Sequence, residues 1–153
     1  MNKLSAIAFT APELIATATL AVETRGEGFV EITRDVGDFV TAARAGDGIL
    51  FLFIRHTSAS LVIQENADPD VRTDLGAALN RLAPAGAGWI HDTEGADDMP
   101  AHVKTMLTGV APHIPVRGGA LELGTWQGIY VAEHRAQPHR RDVALRFLGS
   151  RRA

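Results

Sequence analysis

The sequence predicts an α+β fold with a largely antiparallel sheet and three helices. Strand-like segments outnumber helix-like ones, and most connections between them are short, whereas parallel strands need crossovers of a dozen or more residues. The 153 residues, 46% of them hydrophobic, match the usual size of one domain, so residues 1–153 are expected to form a single domain. This length excludes an eight-stranded β/α barrel, which takes about 250 residues.

The N-terminal third predicts three strands and one helix. Residues 14–23 are rich in Thr, Val and Ile, and a short apolar run follows at 29–32, so both predict strands. Hydrophobic residues at i, i+3, i+4 and i+7 within 36–43 predict a helix, which should stop at the Gly-Asp-Gly turn of residues 46–48. The segment 49–54 is apolar at every position, which predicts a central strand covered on both faces.

Two further helices are predicted after a strand around residues 61–63. Asp68 is a suitable N-cap, Pro69 suits the first helical position, and Pro84 ends this second helix. The third helix follows an acidic segment and should end at Gly109. Its apolar face is expected at Met99, Val103, Met106 and Leu107.

Three strand-like runs complete the chain, at 113–116, at 121–135 with a bend near Gly124, and at 143–148. The net charge of −3 argues against a nucleic-acid binder that relies on bulk charge. No apolar run reaches the roughly 18 residues of a membrane span, and the first residues lack the layout of a secretory signal, so we expect a cytoplasmic protein without a membrane partner. Because the chain has no cysteine, any metal must be held by His, Asp or Glu.

His56 is the first candidate for a functional residue. It ends the central strand and shares the parity of Leu50, Leu52 and Ile54, so its ring should lean toward the interior where that strand emerges. Hydroxyl-bearing residues follow it at positions 57, 58 and 60. The alternative is a purely structural histidine at a strand end, with the serines shaping the turn.

The densest collection of potential metal ligands is the segment 91–102, with two imidazoles and four carboxylates. Its candidate ligands for a divalent cation such as Mg²⁺ or Zn²⁺ are His91, Asp98 and His102. The alternative for Asp98 is a helix cap, with Pro100 in the first turn. The spacing matches no established metal motif.

Glu133 is notable because it shares strand parity with Ile129 and Val131, and a buried carboxylate must be paired, protonated or bound to a cation. Arg141 on the next strand is a natural partner across a hairpin, so an internal ion pair is as acceptable as a functional role. The alternative is that several basic groups grip a phosphate. They are Lys104, Arg135, Arg140 and Arg141.

Four motifs taken together resemble the YjbQ family. They are His-Thr-Ser-Ala-Ser at 56–60, the helix entry at 65–71, the segment 91–104, and Leu-Gly-Thr-Trp-Gln-Gly-Ile-Tyr at 123–130 with Glu-His-Arg at 133–135. The resemblance implies a β-sandwich-like core, a homotrimer with sites near subunit boundaries, and the label secondary thiamine-phosphate synthase. It marks as site candidates His56, Asn66, His91, Asp98, His102, Trp126, Gln127, Glu133 and Arg135.

The implied transferase reaction joins hydroxymethylpyrimidine diphosphate to thiazole phosphate. On this hypothesis His56, His102 and Glu133 are catalytic, and a cation at the acidic segment eases departure of the diphosphate. The expected substrate-binding residues are Asn66, Lys104, Trp126, Gln127, Arg135 and Arg141. Two alternatives stay open: a metal-dependent hydrolase of a phosphorylated metabolite, and a non-catalytic trimer that binds such a ligand.

Overall fold

Eight strands and three helices follow one another in residues 2–153, which the computed structural model describes. The strands are β1 (Leu14–Glu23), β2 (Gly28–Glu31), β3 (Ala45–Ile54), β4 (Ala59–Glu65), β5 (His113–Arg117), β6 (Ala120–Leu121), β7 (Gln127–Glu133) and β8 (Arg140–Arg151). The helices are α1 (Thr33–Ala42), α2 (Pro69–Leu82) and α3 (Asp98–Thr108). None of these helices is long and apolar enough to cross a membrane.

The strands form two antiparallel sheets that share one hydrophobic core. The larger sheet has the order β1-β8-β3-β5-β6, and the smaller one has the order β2-β7-β4. Every strand pair in both sheets is antiparallel. Leu52 and Leu145 of the larger sheet belong to the same buried cluster as Leu61 and Val131 of the smaller one. The predicted α+β class is therefore confirmed.

The second helix begins as its sequence predicts, and the first has the predicted apolar period. Asp68 caps α2, because its Oδ1 accepts a hydrogen bond of 2.9 Å from the backbone N–H of Asp70. Pro69 occupies the first turn, where a missing N–H costs nothing. Helix α1 directs Val36 and Val40 into the core, so its amphipathic period is also confirmed.

The third helix lies where predicted but buries a different face. Met106 and Leu107, expected inside, are 78% and 54% exposed, whereas Asp98, Lys104 and Thr105 are buried. Asp98 and Lys104 have charged partners in the fold, which offset the cost of removing them from water. The predicted apolar face was wrong at Met106 and Leu107, because polar pairing decides which side of α3 turns inward.

Strand β3 is central in its sheet, but only one of its faces is covered within the chain. Leu50 and the residues in phase with it are buried, whereas Ile49, Phe51 and Phe53 are 45%, 40% and 47% exposed. The prediction of a strand covered on both faces is wrong for a single chain, because the core forms on one side of the larger sheet. An apolar sheet face is left open.

Two glycine-containing segments depart locally from their predictions. Residues 46–48, expected to form a turn, lie in β3, where the register with β8 shifts between Ala45 and Gly48. The predicted bent strand at 121–135 is interrupted, because β6 ends at Leu121 and the N–H of Gln127 donates to the carbonyl of Gly124 in a turn before β7. Glycine without a side chain permits both irregularities.

Candidate functional site

Three strand ends meet at the candidate site. β3 ends two residues before His56, β7 ends at Glu133, and Arg141 lies at the start of β8. The register of the smaller sheet places Ala59 of β4 opposite Glu133, so the short connection from β3 to β4 crosses from one sheet to the other at this point. His56 and Glu133, 77 positions apart in the sequence, are thereby brought to one region.

Glu133 is a buried carboxylate that is fully engaged with its neighbours. Arg141 donates from Nε to its Oε2 at 2.7 Å and from Nη2 to its Oε1 at 2.5 Å. The hydroxyl of Thr24 and the backbone N–H of Arg135 donate to the same carboxylate at 2.9 and 3.0 Å. Burial raises the pKa of Glu133, but these hydrogen bonds outweigh it and hold the pKa below its usual value. The internal ion pair expected as one alternative is thus formed.

His56 is held as a neutral ring by the same network. Its Nε2 accepts a hydrogen bond of 3.0 Å from the backbone N–H of Asp142, and its Nδ1 lies 3.4 Å from Nη1 of Arg141. Burial and the positive charge of Arg141 lower the pKa of His56. Since a neutral imidazole has one acceptor nitrogen, the backbone already occupies the lone pair that a general base needs.

His91, Asp98 and His102 converge on one point beside this network. The Nε2 of His91 lies 2.8 Å from Asp98 Oδ2, and the Nε2 of His102 lies 3.4 Å from the same oxygen. One ligand atom of each residue falls within 4.8 Å of the other two, a spacing that suits a single metal ion. His102 Nδ1 lies 3.0 Å from the carbonyl oxygen of Thr57, which joins α3 to the turn after His56.

Arg135 joins this cluster to the end of β7. Its Nη1 donates to Oδ1 of Asp98, its Nε donates to Oδ2 of Asp97 at 3.1 Å, and its Nη2 donates to the carbonyl of Glu94 at 2.7 Å. Asp97 Oδ2 also accepts from the backbone N–H of Ala136 at 2.8 Å. That backbone hydrogen bond, together with Arg135, lowers the pKa of Asp97.

An open groove of about 750 Å³ adjoins the cluster. Phe53, Met106 and Val110 line it with apolar surface, while His56 and His102 are among the polar groups on its walls. Further lining residues are Ile54, Arg55, Thr57, Ser58, Thr105 and Gly109. Within residues 2–153, two buried polar side-chain atoms have no hydrogen-bond partner, and both are close to the groove. Thr105 Oγ1 is in the groove wall. The other is Oδ1 of Asp142, whose backbone N–H donates to His56. The groove can therefore accept a ligand with both an apolar and a polar part.

Four of the expected site residues lie elsewhere in the single chain. Lys104 is buried on another side of α3, where its Nζ donates to Asn80 at 2.6 Å and to Glu27 at 3.2 Å. The other three gather at the opposite end of the smaller sheet, where Glu65 pairs with Gln127. At the usual rise per residue of a strand, the length of β7 from Gln127 to Glu133 puts that end about 20 Å from Glu133. These three residues are Asn66, Trp126 and Gln127.

Sequence reasoning did not select His134, a buried residue that follows Glu133 at the end of β7. Its Nε2 lies 2.8 Å from Oγ of Ser60. Burial and the nearby charge of Lys104 lower the pKa of His134 to about 4, so the ring is neutral. The only signal in the sequence is that positions 133 and 134 are both ionisable, so one of them must face each side of β7.

The fold and the site together define a small α+β protein with a candidate cation centre at the junction of two sheets. The family model described as "UPF0047 protein YjbQ-like" matches residues 18–150. A UPF0047 protein of Synechocystis sp. is 45% identical over 85% of this chain and 89% of that protein. The UPF0047 protein YjbQ of Salmonella typhimurium is 41% identical over 86% of this chain and 96% of its own length. The chain therefore belongs to the UPF0047 YjbQ-like family.

Solved structures share this architecture. A hypothetical protein from Aeropyrum pernix superimposes with a TM-score of 0.82 at 29% identity, covering 88% of this chain and 99% of that one. A conserved hypothetical protein from Thermus thermophilus has a TM-score of 0.76 at 39% identity, covering 85% and 98%. The antiparallel α+β arrangement is thus common to this chain and these relatives.

Proposed function

We propose that the chain is a metal-dependent enzyme acting on a phosphorylated small molecule, with a divalent cation held by His91, Asp98 and His102. The observation that carries this proposal is the orientation of His102. The Nδ1 of His102 lies 3.0 Å from the carbonyl oxygen of Thr57, which turns Nε2 toward the carboxylate oxygen of Asp98, 3.4 Å away. A divalent cation at this point would bind the imidazole nitrogen and the carboxylate together.

The donor set favours a particular class of cation. Two imidazoles and one carboxylate are ligands typical of Zn²⁺, whereas Mg²⁺ prefers oxygen ligands alone. Three protein ligands also leave a coordination position for substrate, which is characteristic of catalytic rather than structural zinc sites. Because His102 lines the groove, a substrate bound in the groove would be within reach of that position. The bound cation would supply positive charge to a phosphate oxygen.

The reaction we propose is the one implied by the family resemblance, the joining of hydroxymethylpyrimidine diphosphate to thiazole phosphate. The carbon–oxygen bond to the diphosphate breaks and a carbon–nitrogen bond to the thiazole forms, so no proton has to leave the reacting atoms. This chemistry suits the groove, because the acceptor nitrogen of His56 is already used by Asp142. The apolar surface of Phe53 and Met106 can lie against a ring. Hydrolysis, in contrast, would need the cation to activate a water molecule as the nucleophile.

Product formation from the two precursors tests the proposal. Purified protein loaded with Zn²⁺ or Mg²⁺ should form thiamine phosphate, and His102→Ala should reduce the rate at least 100-fold. Arg34→Ala is the control, because the Arg34 side chain is exposed on α1. An unchanged rate in His102→Ala would discard the site. Release of phosphate without joining would favour the hydrolase, and saturable binding without product would favour a non-catalytic binding protein.

The open face of the larger sheet supports the homotrimer implied by the resemblance. Ile49, Phe51 and Phe53 form an exposed apolar strip on this face, and contiguous apolar surface of this kind is typical of subunit interfaces. Phe53 also lines the groove, so association through this face would put the site near a subunit boundary. Light scattering should give three chains for the natural protein and one chain for Phe51→Glu. A monomeric natural protein would contradict the assembly.

A further inference from the structure

We infer that Arg135 and Asp97 are a positioning pair that orients Asp98 toward the two imidazoles and thereby sets the affinity of the site for its cation. The inference rests on the cation site of the proposed function. It assigns to Arg135 a positioning role in place of the phosphate binding expected from the sequence. It also assigns a positioning role to Asp97, which the sequence did not indicate.

All three nitrogens of the Arg135 guanidinium are committed to protein acceptors. Nη1 binds Asp98, Nε binds Asp97 at 3.1 Å, and Nη2 binds the carbonyl of Glu94 at 2.7 Å. The side chain is only 16% exposed. A phosphate would have to displace these partners to gain the same donors, so the geometry favours a structural grip on the segment 94–98 over a grip on substrate.

The consequence for Asp98 is a fixed orientation. Its Oδ1 accepts from Arg135, so its Oδ2 is the oxygen presented to His91 at 2.8 Å and to His102 at 3.4 Å. Asp97 completes the arrangement, because its Oδ2 bonds both Arg135 and the backbone N–H of Ala136. The start of α3 is therefore fastened to the residues after β7 at two points. Outer partners of this kind hold a metal ligand in place, and losing one typically costs 10–100-fold in metal affinity.

The two possible roles of Arg135 predict different effects of replacing it. If Arg135 binds phosphate, its replacement weakens phosphate binding and leaves the affinity of the phosphate-free protein for a cation unchanged. If Arg135 positions Asp98, its replacement weakens cation binding even when no phosphate is present. Replacement by lysine separates them further, because an ammonium group offers a point charge but lacks the fork that bridges Asp97 and Asp98.

The experiment measures Zn²⁺ affinity of the full chain by competition with a chromophoric chelator, in the absence of phosphate. We expect Arg135→Gln and Asp97→Asn to weaken Zn²⁺ binding about 10–100-fold, and Arg135→Lys to alter the visible spectrum of bound Co²⁺. Arg117→Gln is the matched control, because it also removes an arginine–carboxylate contact, the one of 2.7 Å to Glu122. That contact lies on the exposed β5–β6 hairpin at the edge of the larger sheet. The affinity of Arg117→Gln should stay within twofold of the natural protein.

Three outcomes decide the inference. Weakened Zn²⁺ binding in Arg135→Gln and Asp97→Asn, with metal-free variants that keep the far-ultraviolet circular dichroism of the natural protein and unfold in one cooperative transition, supports it. Natural affinity for Zn²⁺ in both variants, with reduced binding of inorganic phosphate by Arg135→Gln alone, overturns it and leaves the cation site standing. A natural protein that takes up no Zn²⁺ overturns the proposed cation site and this inference together.

Discussion

Arg141 donates hydrogen bonds to both carboxylate oxygens of Glu133, at 2.7 and 2.5 Å, in the interior of the protein. The two side chains are 5% and 0% exposed. Each charge is thus removed from water and compensated mainly by the other. Because Arg141 also contacts His56 and Ser58, the pair fixes the turn that carries the candidate groove.

The pair predicts an asymmetry between single and double substitutions. Glu133→Gln and Arg141→Met should each lower the free energy of unfolding by about 3–5 kcal/mol, because each leaves one buried charge uncompensated. The double variant should lose less than the sum of the two, since it removes both charges. Urea unfolding of the four proteins measures this coupling. Additive losses would show that the two charges are stabilised independently.

A second prediction concerns the pH dependence of stability and follows from His134. The pKa of His134 is lowered to about 4, against about 6.5 in an unfolded chain. Between these values the unfolded state binds a proton that the folded state excludes, so stability is complete above pH 6.5 and falls as the pH drops toward 4. The loss attributable to this one residue is about 3 kcal/mol.

Denaturant unfolding between pH 7 and 4 measures that loss. His134→Gln, whose amide can still bond Ser60, should flatten the dependence on pH, and the lowered pKa of His56 accounts for part of the slope that remains. Arg34→Gln, an exposed substitution on α1, should keep the natural slope. An unchanged slope in His134→Gln would contradict a neutral, buried ring.

A third prediction couples the cation site to folding. A ligand that binds only the folded state at 100 times its dissociation constant raises the free energy of unfolding by about 2.7 kcal/mol. We expect Zn²⁺ to give an increase of this size in the natural protein and none in His91→Ala, which removes one of the three ligands. Calorimetric melting with and without a chelator measures it. Equal midpoints for the natural protein in both conditions would contradict the site.

The positions of most helices and strands were predictable from the sequence because the residues that mark them are close together in the chain. Asp68 and Pro69 mark the start of α2 without reference to the rest of the fold. The inward face of α3 was not predictable in this way. Lys104 is buried through Asn80 on α2 and Glu27 near β2, and neither partner is near it in the sequence. Hydrophobic periodicity does not predict such pairing of buried polar side chains.

The same distinction applies to the site. Asp98 and His102 are four residues apart on one helix, so their meeting follows from helical spacing alone. Trp126 and Gln127 lie at the start of β7, whereas Glu133 ends it, so one strand separates these two groups of expected site residues within the chain. Motif order along the sequence does not reveal which end of a strand each motif occupies.

The last prediction tests the strand contact that aligns the site. Gly48 and Gly149 face each other where β3 pairs with β8, and a Cβ on Gly149 would lie 2.2 Å from the carbonyl oxygen of Asp47. That oxygen belongs to the backbone and cannot swing aside, so Gly149→Ala should destabilise the protein by about 3 kcal/mol.

Gly76 in α2 is the matched position, because a Cβ there meets nothing within 4 Å beyond the backbone of its own helix. Gly76→Ala should therefore stabilise the protein by about 0.5–1 kcal/mol, and urea unfolding gives both changes in one experiment. The same register sets Ile54 against Val143 and so brings Asp142 to His56. If Gly149→Ala unfolds like the natural protein, the close approach of β3 and β8 at Gly149 does not contribute to holding this register.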